Sequence, residues 1–249
     1  MKLHNHIAIV TGGASGIGKS CAELFAANGA TVVIADINES EGHEVANHLK
    51  GLFIKTDVTK PAEVEALIQA TVNKYGKLDI LMNNAGMDGE QKPIADCTLE
   101  NWRAVVDLNL NAVFYGMKYG LAVMAAQKSG VILNTASIAG LVAFPNIAAY
   151  GAAKAGIIHL TKTAAIEYAK SNIRVNALCP SVVKTPLVEH FIASTPDPAA
   201  TKTWFENFNP LPGMVTTHSV ADAALFLVSD DSKFITGTAL TIDGGFTAQ

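Results

Sequence analysis

Short apolar runs rich in β-branched residues recur along the chain, and each is bounded by residues that favour turns. They predict seven buried strands, at residues 7–10, 31–35, 52–54, 78–82, 131–133, 175–178 and 239–242. Helical stretches are predicted between them, at 16–28, 39–50, 61–75, 99–127, 148–170 and 219–228. Strands that alternate with helices are joined by right-handed crossovers into a mostly parallel sheet. We therefore expect a doubly wound α/β fold of about seven strands with helices on both faces.

Composition narrows the class of protein further. Of 249 residues, 49% are hydrophobic and 16% are charged, which allows a large core and excludes a disordered chain. The balance of 18 basic and 22 acidic residues gives a net charge of −4, which argues against nucleic acid or an anionic membrane as partner. Because no low-complexity linker divides the sequence, we expect a single domain over 1–249, with a proline-rich flap at about 186–214 that is irregular and partly helical near 187–193.

The cysteines and the N-terminus bear on the cellular compartment. Cys21, Cys97 and Cys179 are odd in number and widely spaced, which fits neither a disulfide framework nor a zinc site, and no metal is predicted. The apolar run at 7–10 is too short for a signal peptide. A cytoplasmic protein is expected.

A glycine-rich loop follows the first predicted strand and opens the first predicted helix. It reads TGGASGIG at residues 11–18. Gly12 would allow a tight turn, Gly16 a close approach to a pyrophosphate, and Gly18 close packing of helix on strand. Glycines also serve such a turn for purely structural reasons. The order of strand, loop, helix, strand and acid favours a Rossmann-like dinucleotide site.

The acid in that order is Asp36, at the end of the second predicted strand and 18 residues beyond Gly18. At this spacing a carboxylate accepts hydrogen bonds from the adenosine ribose, which predicts NAD. A 2′-phosphate would meet a like charge there, at a cost on the order of 4 kcal/mol at 4 Å before screening. Ala14 and Ser15 offer no compensating cation, although Lys19 lies close. The alternative is that Asp36 is a helix cap or a surface acid.

Three further side chains could carry out acid–base chemistry. Tyr150 and Lys154 are four apart on a predicted helix and share a face, so an ammonium could lower the pKa of a phenol. Ser137 follows the strand at 131–133, at the sheet edge where such folds bind ligands. Taken singly, the Tyr and Lys also suit a solvated helix face, and the Ser suits a turn.

Taken together, these motifs resemble the short-chain dehydrogenase/reductase family over nearly the whole chain. The matching pieces, in order, are TGGASGIG at 11–18, Asp57 with Val58, NNAG at 83–86, Asn109 with Leu110, Ser137, YGAAK at 150–154 and IDGG at 242–245. The resemblance implies direct hydride transfer between a nicotinamide ring and a carbinol or carbonyl carbon.

The resemblance also implies roles for individual residues. Tyr150 would be the general acid/base, Lys154 would lower its pKa and bind the nicotinamide ribose, and Ser137 would orient the substrate oxygen. Asn109 would anchor a proton-relay water; it matches the family pattern better than Asn111, which remains an alternative.

The implied cofactor contacts extend over most of the carboxyl edge. Asp57 and Val58 would lie at the adenine, Asn83 beside the adenosine, and Val183 and Thr185 near the carboxamide. The full expected set is Gly12, Ser15, Gly16, Ile17, Gly18, Asp36, Asp57, Val58, Asn83, Ala85, Gly86, Tyr150, Lys154, Val183 and Thr185. One departure is Ser181, where the family has glycine after the proline; a serine can make this turn at negative φ. The family usually forms tetramers, which predicts a homo-oligomer.

The expected substrate pocket is mostly apolar. Its walls would come from 138–144, the loop after Gly86, and the flap residues Leu187, Val188, Phe191, Trp204, Phe205, Phe208, Leu211 and Met214. Such a lining suits an uncharged secondary alcohol or ketone. Phe191 and Trp204 could instead form only the core of the flap.

Two rival activities are found in the same family. A 3-oxoacyl-thioester reductase would normally use NADPH and prefer a basic residue in place of Asp36. The ending DGGFTAQ and the segment TPLV at 185–188 resemble 3-hydroxybutyrate dehydrogenases. Their carboxylate anchors are replaced here by Asp88, by Ile138 or Ala139, and by Ile147. Lys92, His190 or Lys202 could substitute for them.

Other classes of protein remain as alternatives. A non-catalytic NAD sensor would not need Ser137, Tyr150 and Lys154 together. A methyltransferase also has a glycine loop and an acid after its second strand, but its chemistry does not require the Tyr–Lys pair.

Overall fold

The computed structural model describes residues 1–249 except for the side chain of Leu187, so the pocket role expected for that side chain lies outside the described residues. The strands are β1 (Ile7–Thr11), β2 (Thr31–Asp36), β3 (Leu52–Lys55), β4 (Ile80–Asn83), β5 (Gly130–Thr135), β6 (Ile173–Pro180), β7 (Val183–Lys184), β8 (Val215–Thr216) and β9 (Ala239–Ile242). The helices are α1 (Gly16–Ala27), α2 (Glu39–His48), α3 (Pro61–Tyr75), α4 (Leu99–Val106), α5 (Ala112–Gln127), α6 (Ala148–Tyr168), α7 (Pro186–Ser194), α8 (Pro198–Glu206) and α9 (Thr217–Val228).

Seven strands form one parallel sheet in the order β3-β2-β1-β4-β5-β6-β9. The expected doubly wound α/β fold is confirmed. The chain runs outward from β1 to β3 and then returns to the other side of β1, so the strand order reverses between β1 and β4. Ligands bind such sheets beyond the carboxyl ends of the strands at this reversal.

Helices cover both faces of the sheet and create two cores. On one face α3, α5 and α6 contribute buried residues such as Leu67, Met124 and Ile157. On the other face α1, α2 and α9 bury Phe25, Val45 and others against the same strands. Burial on both sides explains why the strands are continuous apolar runs instead of alternating ones. Among the helices that the structure describes, none is long and apolar enough to cross a membrane.

Two predicted elements differ from the structure in ways that bear on the site, while the other predicted bounds agree with it to within two residues. The strand expected at 78–82 begins only at Ile80, because side chains hold the residues before it: Gln127 bonds the backbone of Leu78, and Asp79 Oδ2 accepts from Ile7 N at 2.7 Å. The single helix expected at 99–127 is interrupted by a π-helical turn, Asp107–Asn111, which separates α4 from α5. Such turns recur at functional sites.

The flap is more regular than predicted. It contains α7, close to the helix expected at 187–193, and also α8, which was not predicted. Asp197 caps α8 by accepting a 2.9 Å hydrogen bond from Ala200 N, and Pro198 occupies the first turn. These are ordinary helix-start signals, and two of the prolines that suggested irregular chain, Pro186 and Pro198, in fact begin helices. The two-residue strands β7 and β8 pair at the base of the flap.

Candidate active site

The glycine-rich loop joins β1 to α1 at the carboxyl edge, where the strand order reverses. Gly12 has φ +62°, in the left-handed region that favours glycine. A Cβ atom on Gly18 would collide with the backbone oxygen of Gly12 and lie 2.6 Å from the Asn84 amide nitrogen. The loop can therefore be this tight only without side chains at these positions, and it leaves a backbone-lined cradle.

The N-terminus of α1 faces this cradle. Ser15 is the capping residue, but its side chain makes no capping hydrogen bond, and the first turn of α1, described throughout, carries no acidic side chain. The free N–H groups of Gly16 and Ile17 and the positive end of the helix dipole suit a phosphate. The cradle and the helix end together fit the pyrophosphate of a dinucleotide.

Asp36 lies at the end of β2 and points back to this loop. One carboxylate oxygen accepts from Ala14 N at 3.1 Å and the other from Asn38 N at 3.0 Å. Asn38, not Asp36, caps α2 by accepting from Glu41 N. The carboxylate is thus held beside the glycine loop, where a ribose hydroxyl could reach it, and it is not the helix cap considered as an alternative.

Asn84 holds the loop in place, a role that the sequence did not reveal. Its amide nitrogen donates to the backbone oxygens of Thr11 and Gly12 at 3.1 and 3.3 Å. Its oxygen accepts from Thr135 Oγ1 at 3.2 Å. One side chain therefore ties the ends of β1, β4 and β5 together. The available signal was the doubled asparagine of NNAG.

The other asparagine of that pair turns inward. Asn83 is buried and donates a 2.9 Å hydrogen bond to Asn134 Oδ1, and Asn134 in turn donates to Thr161 Oγ1 at 2.9 Å on α6. Its oxygen lies against Gly116 of α5, with no room there for a side chain. The structure therefore turns the Asn83 side chain away from the carboxyl edge, whereas Ala85 lies against Gly12 and Gly86 near Lys154.

The remaining expected cofactor residues lie around the same edge. Asp57 Oδ1 accepts from the amide and hydroxyl of Thr59 at 3.0 and 2.6 Å, which lowers the pKa of the Asp57 carboxyl, and Val58 is buried. Across the loop, a Cβ on Gly16 would lie 3.7 Å from Thr185 Cγ2, and Thr185 caps α7 through Val188 N. The base of the flap therefore lies beside the glycine loop, with room for about one methyl group between them.

The departure at Ser181 is accommodated without strain. Its backbone keeps a negative φ, and its N–H donates to Ile242 O at 3.1 Å. Val183 follows as a buried residue of β7. The Ser181 hydroxyl is buried and has no hydrogen-bond partner among the residues that the structure describes.

Ser137, Tyr150 and Lys154 meet at the end of β5. Ser137 begins a short helical turn, Ile138–Gly140, with its Oγ accepting from Ala139 N at 3.1 Å. A Cβ on Gly140 would lie 2.6 Å from the backbone carbon of Lys154, so this turn packs directly on the backbone of α6. Lys154 is buried, donates to Thr135 O at 2.8 Å, and lies 5.4 Å from the centre of the Tyr150 ring.

Burial controls the titration of both groups. It raises the pKa of Tyr150, and Asp88 raises it further, while the Ser137 side chain acts in the opposite direction. Burial lowers the pKa of Lys154 to about 8, against an opposing effect of Asp88. In the protein alone desolvation of the phenol dominates, so the pKa of Tyr150 lies above its usual value, and the lowering by Lys154 together with a bound nicotinamide stays a prediction.

Asn109 lies in the π-helical turn and holds the loop after β4. Its amide nitrogen donates to Met87 O at 2.8 Å and Val105 O at 3.0 Å, and its oxygen accepts from Met87 N at 3.3 Å. Gly86 packs against Asn109 so closely that a side chain would not fit. A Cβ atom on Gly86 would lie 2.7 Å from Asn109 Oδ1 and 3.6 Å from Lys154 Nζ. Asn111 instead bonds Asp107, away from this cluster.

The aromatic residues of the flap contact one another beyond the edge of the sheet. Trp204 packs on Phe205 and Phe208, with ring centres 4.9 and 5.2 Å apart, and Phe191 packs on Phe205 at 6.1 Å. Trp204 and Leu211 remain largely exposed, at 59% and 67%. Phe246, near the C-terminus, also joins this group through Phe208, and the sequence analysis did not identify it.

Comparisons with known proteins extend over the full chain. A family model described as enoyl-(acyl carrier protein) reductase matches residues 12–247. Cyclohexanol dehydrogenase of Acinetobacter sp. (strain SE19) is 38% identical over 253 residues, covering 100% of this chain and 97% of the relative. Mitochondrial borneol dehydrogenase of Lavandula x intermedia is 40% identical over 247 residues, covering 98% and 91%. The crystal structure of levodione reductase gives a TM-score of 0.95 at 33% identity and 99% coverage of both chains.

Proposed function

Because the chain belongs to the short-chain dehydrogenase/reductase family, we propose that it is an NAD-dependent dehydrogenase of an uncharged secondary alcohol carried on a six-membered ring. It is an oxidoreductase that acts on secondary alcohols and ketones with a nicotinamide cofactor. The single observation that carries the proposal is the convergence of Ser137, Tyr150 and Lys154 at the end of β5, the strand that Asn84 ties to the glycine loop.

We assign the catalytic roles to these residues and to Asn109. The Tyr150 hydroxyl gives a proton to, or takes one from, the substrate oxygen, and Ser137 holds that oxygen by a hydrogen bond. The Lys154 ammonium stabilises the phenolate, and a water held by Asn109 passes the proton to solvent. The carrier of the hydride is the cofactor, whose nicotinamide ring accepts or donates it when bound.

The cofactor is proposed to lie across the carboxyl edge. Gly12, Ser15, Gly16, Ile17 and Gly18 would hold the pyrophosphate, and Asp57, Val58 and the backbone at Asn83 the adenine side. Ala85, Gly86, Tyr150, Lys154, Val183 and Thr185 would surround the nicotinamide half. The cradle without side chains and the uncapped end of α1 support this assignment.

The preference for NAD over NADP rests on Asp36. Its carboxylate is held by Ala14 N and Asn38 N beside the loop, as a ribose acceptor requires. The same charge would repel a 2′-phosphate.

The substrate class rests on the relatives and on charge. Cyclohexanol and borneol, named in two relatives, are both secondary alcohols on a six-membered ring. Two lysines that could anchor a carboxylate are engaged elsewhere: Lys92 pairs with Glu90 at 3.0 Å and Lys202 with Glu206 at 3.7 Å. The paired lysines and the aromatic residues of the flap favour a neutral ring over an acid.

A substrate panel tests the proposal. Purified protein would be assayed for formation of reduced cofactor with cyclohexanol, hexan-2-ol, 3-hydroxybutyrate and a 3-hydroxyacyl thioester, each with NAD and with NADP. We expect cyclohexanol with NAD to give a kcat/KM about tenfold above that of hexan-2-ol, which has the same number of carbons. Preference for 3-hydroxybutyrate or for the thioester, or for NADP, would contradict the proposal. Oxidation of none of the alcohols would contradict it too.

Three further assignments accompany the proposal. The chain would be a single NAD-binding domain over 1–249 with its flap at about 186–214. It would form a homo-oligomer, a tetramer by family resemblance. It would lie in the cytoplasm, which the free thiols of Cys21, Cys97 and Cys179 support.

A further inference from the structure

Three aromatic rings from distant parts of the chain form one stack beyond the carboxyl edge of the sheet. Phe208 of the flap lies parallel to Phe246, with 4.6 Å between ring centres and 4° between ring planes. Phe144 stacks on Phe208 at 6.1 Å and on Phe246 at 5.6 Å. We call these residues the aromatic stack. It joins the flap, the C-terminal tail (residues 243–249) and the segment between Ser137 and Tyr150.

The tail is folded so that it presents Phe246 to this stack. Gly244 and Gly245 have φ of +56° and +90°, so the chain reverses direction directly after β9. The buried Asp243 holds the turn: one oxygen accepts from Gly245 N at 3.0 Å, and the other from the amide and hydroxyl of Thr247 at 2.9 and 2.6 Å. Bonds within the tail therefore fix the backbone on both sides of Phe246.

The flap in turn rests on the tail. Leu211 N donates a 2.9 Å hydrogen bond to Gly244 O. A Cβ on Gly244 would lie 3.0 Å from Asn209 Cβ and 3.1 Å from Leu211 Cβ, so the two backbones are in close contact. One backbone bond and one parallel ring pair thus connect the flap to a preformed turn.

Phe144 connects the stack to the reacting groups along the chain, and the stack is partly exposed. Phe144 is seven residues after Ser137 and six before Tyr150, in the short connection between them. All three rings are only half-buried, although each packs against the others. Apolar surface therefore remains exposed on the stack, which includes the segment that joins the two reacting residues.

We propose that Phe246 is a specificity-determining residue, which fixes Phe208 and the flap against Phe144 and so forms the wall that holds the apolar ring of the substrate. This inference rests on the proposed function for its substrate. Its structural part, the attachment of the flap by Phe246, is independent of any activity.

The test compares Phe246→Ala and Phe246→Leu, which remove the ring pair, with Phe246→Tyr, which keeps it. Phe234→Ala is the matched control, because Phe234 is 93% exposed and lies outside the stack. Hydrogen exchange read on a peptide covering 207–214 reports the Leu211 amide. We expect faster exchange there in Phe246→Ala and Phe246→Leu, and wild-type exchange in Phe246→Tyr and Phe234→Ala.

Kinetics with NAD and cyclohexanol provide the second readout. We expect the KM for cyclohexanol to rise about tenfold in Phe246→Ala, with a smaller change in kcat. Phe246→Tyr should keep wild-type values of both. Should Phe246→Ala prove insoluble, Phe246→Leu carries the same expectation. Wild-type exchange together with wild-type KM in a folded Phe246 variant would overturn the inference. Faster flap exchange without oxidation of cyclohexanol by any form, wild type included, would support the attachment and overturn the proposed function.

Discussion

Lys154 Nζ donates a 2.8 Å hydrogen bond to the backbone oxygen of Thr135, the last residue of β5. This bond ties α6 to the strand that leads into Ser137, while the same nitrogen lies 5.4 Å from the centre of the Tyr150 ring. The lysine is therefore both a charge in the site and a support for the geometry of its neighbours. Changes at Lys154 are expected to alter stability as well as turnover.

Tyr150→Phe tests the acid–base role with the least disturbance of packing. Removing only the hydroxyl should lower kcat by about 10²- to 10⁴-fold, the usual contribution of a positioned acid/base. NAD affinity, measured by titration, should change little. Tyr168→Phe, at the other end of α6, is the matched control and should retain activity. Full turnover in Tyr150→Phe would exclude the proposed mechanism.

Lys154→Met tests the burial of the ammonium through stability. The pKa of Lys154 is lowered from 10.5 to about 8, so between these values the unfolded chain carries a proton that the folded protein has lost. The free energy of unfolding of the wild type should therefore rise with pH across this window, by up to about 1.4 kcal/mol per pH unit, and this gain should be absent below pH 8. The variant should lack the rise.

Urea unfolding at several pH values between 7 and 10 measures this difference. Subtracting the free energy of unfolding of the variant from that of the wild type cancels the titration of the groups that both proteins share. Lys162→Met, an exposed lysine on the same helix, should follow the wild type. A difference that does not depend on pH would show that Lys154 titrates normally.

Asp88→Asn tests the electrostatics of the loop after β4. The Asp88 carboxylate raises the pKa of both Tyr150 and Lys154, so its removal should lower both. We expect the acidic limb of the pH profile of kcat/KM for alcohol oxidation to move to lower pH. Asp96→Asn, an exposed acid in the same connection, should leave the profile in place. A shift to higher pH in Asp88→Asn would contradict the assignment.

Asp36→Asn tests cofactor choice while keeping one oxygen to accept from the loop backbone. Removal of the charge should weaken NAD binding and strengthen NADP binding, each by about tenfold, equivalent to about 1.4 kcal/mol. Dissociation constants for the two cofactors measure the effect. Glu44→Gln, on the exposed face of α2, is the control. Unchanged selectivity would remove Asp36 from the cofactor site.

Several details depend on residues that are distant in sequence, and these were not predictable. The inward turn of Asn83 depends on Asn134 and Gly116, and the π-helical turn at Asn109 accompanies its bonds to Met87 and Val105. From the local sequence, the side chains of Asn83 and Asn109 could equally have pointed toward solvent. By contrast, α8 carries local signals, because Asp197 is a capping residue and Pro198 suits a first helical turn as well as it suits irregular chain.

The sequence by itself determined the seven strands of the main sheet, their mostly parallel arrangement and the position of the glycine loop, because apolar runs and turn residues act over a few neighbouring positions. Only the tertiary structure decided the titration of Tyr150 and Lys154 and the contact of Phe246 with Phe208. Desolvation depends on everything packed around a group, and a ring pair requires the end of the chain to return to the flap. Neither the titration nor the ring contact can be predicted from residues that are close in sequence.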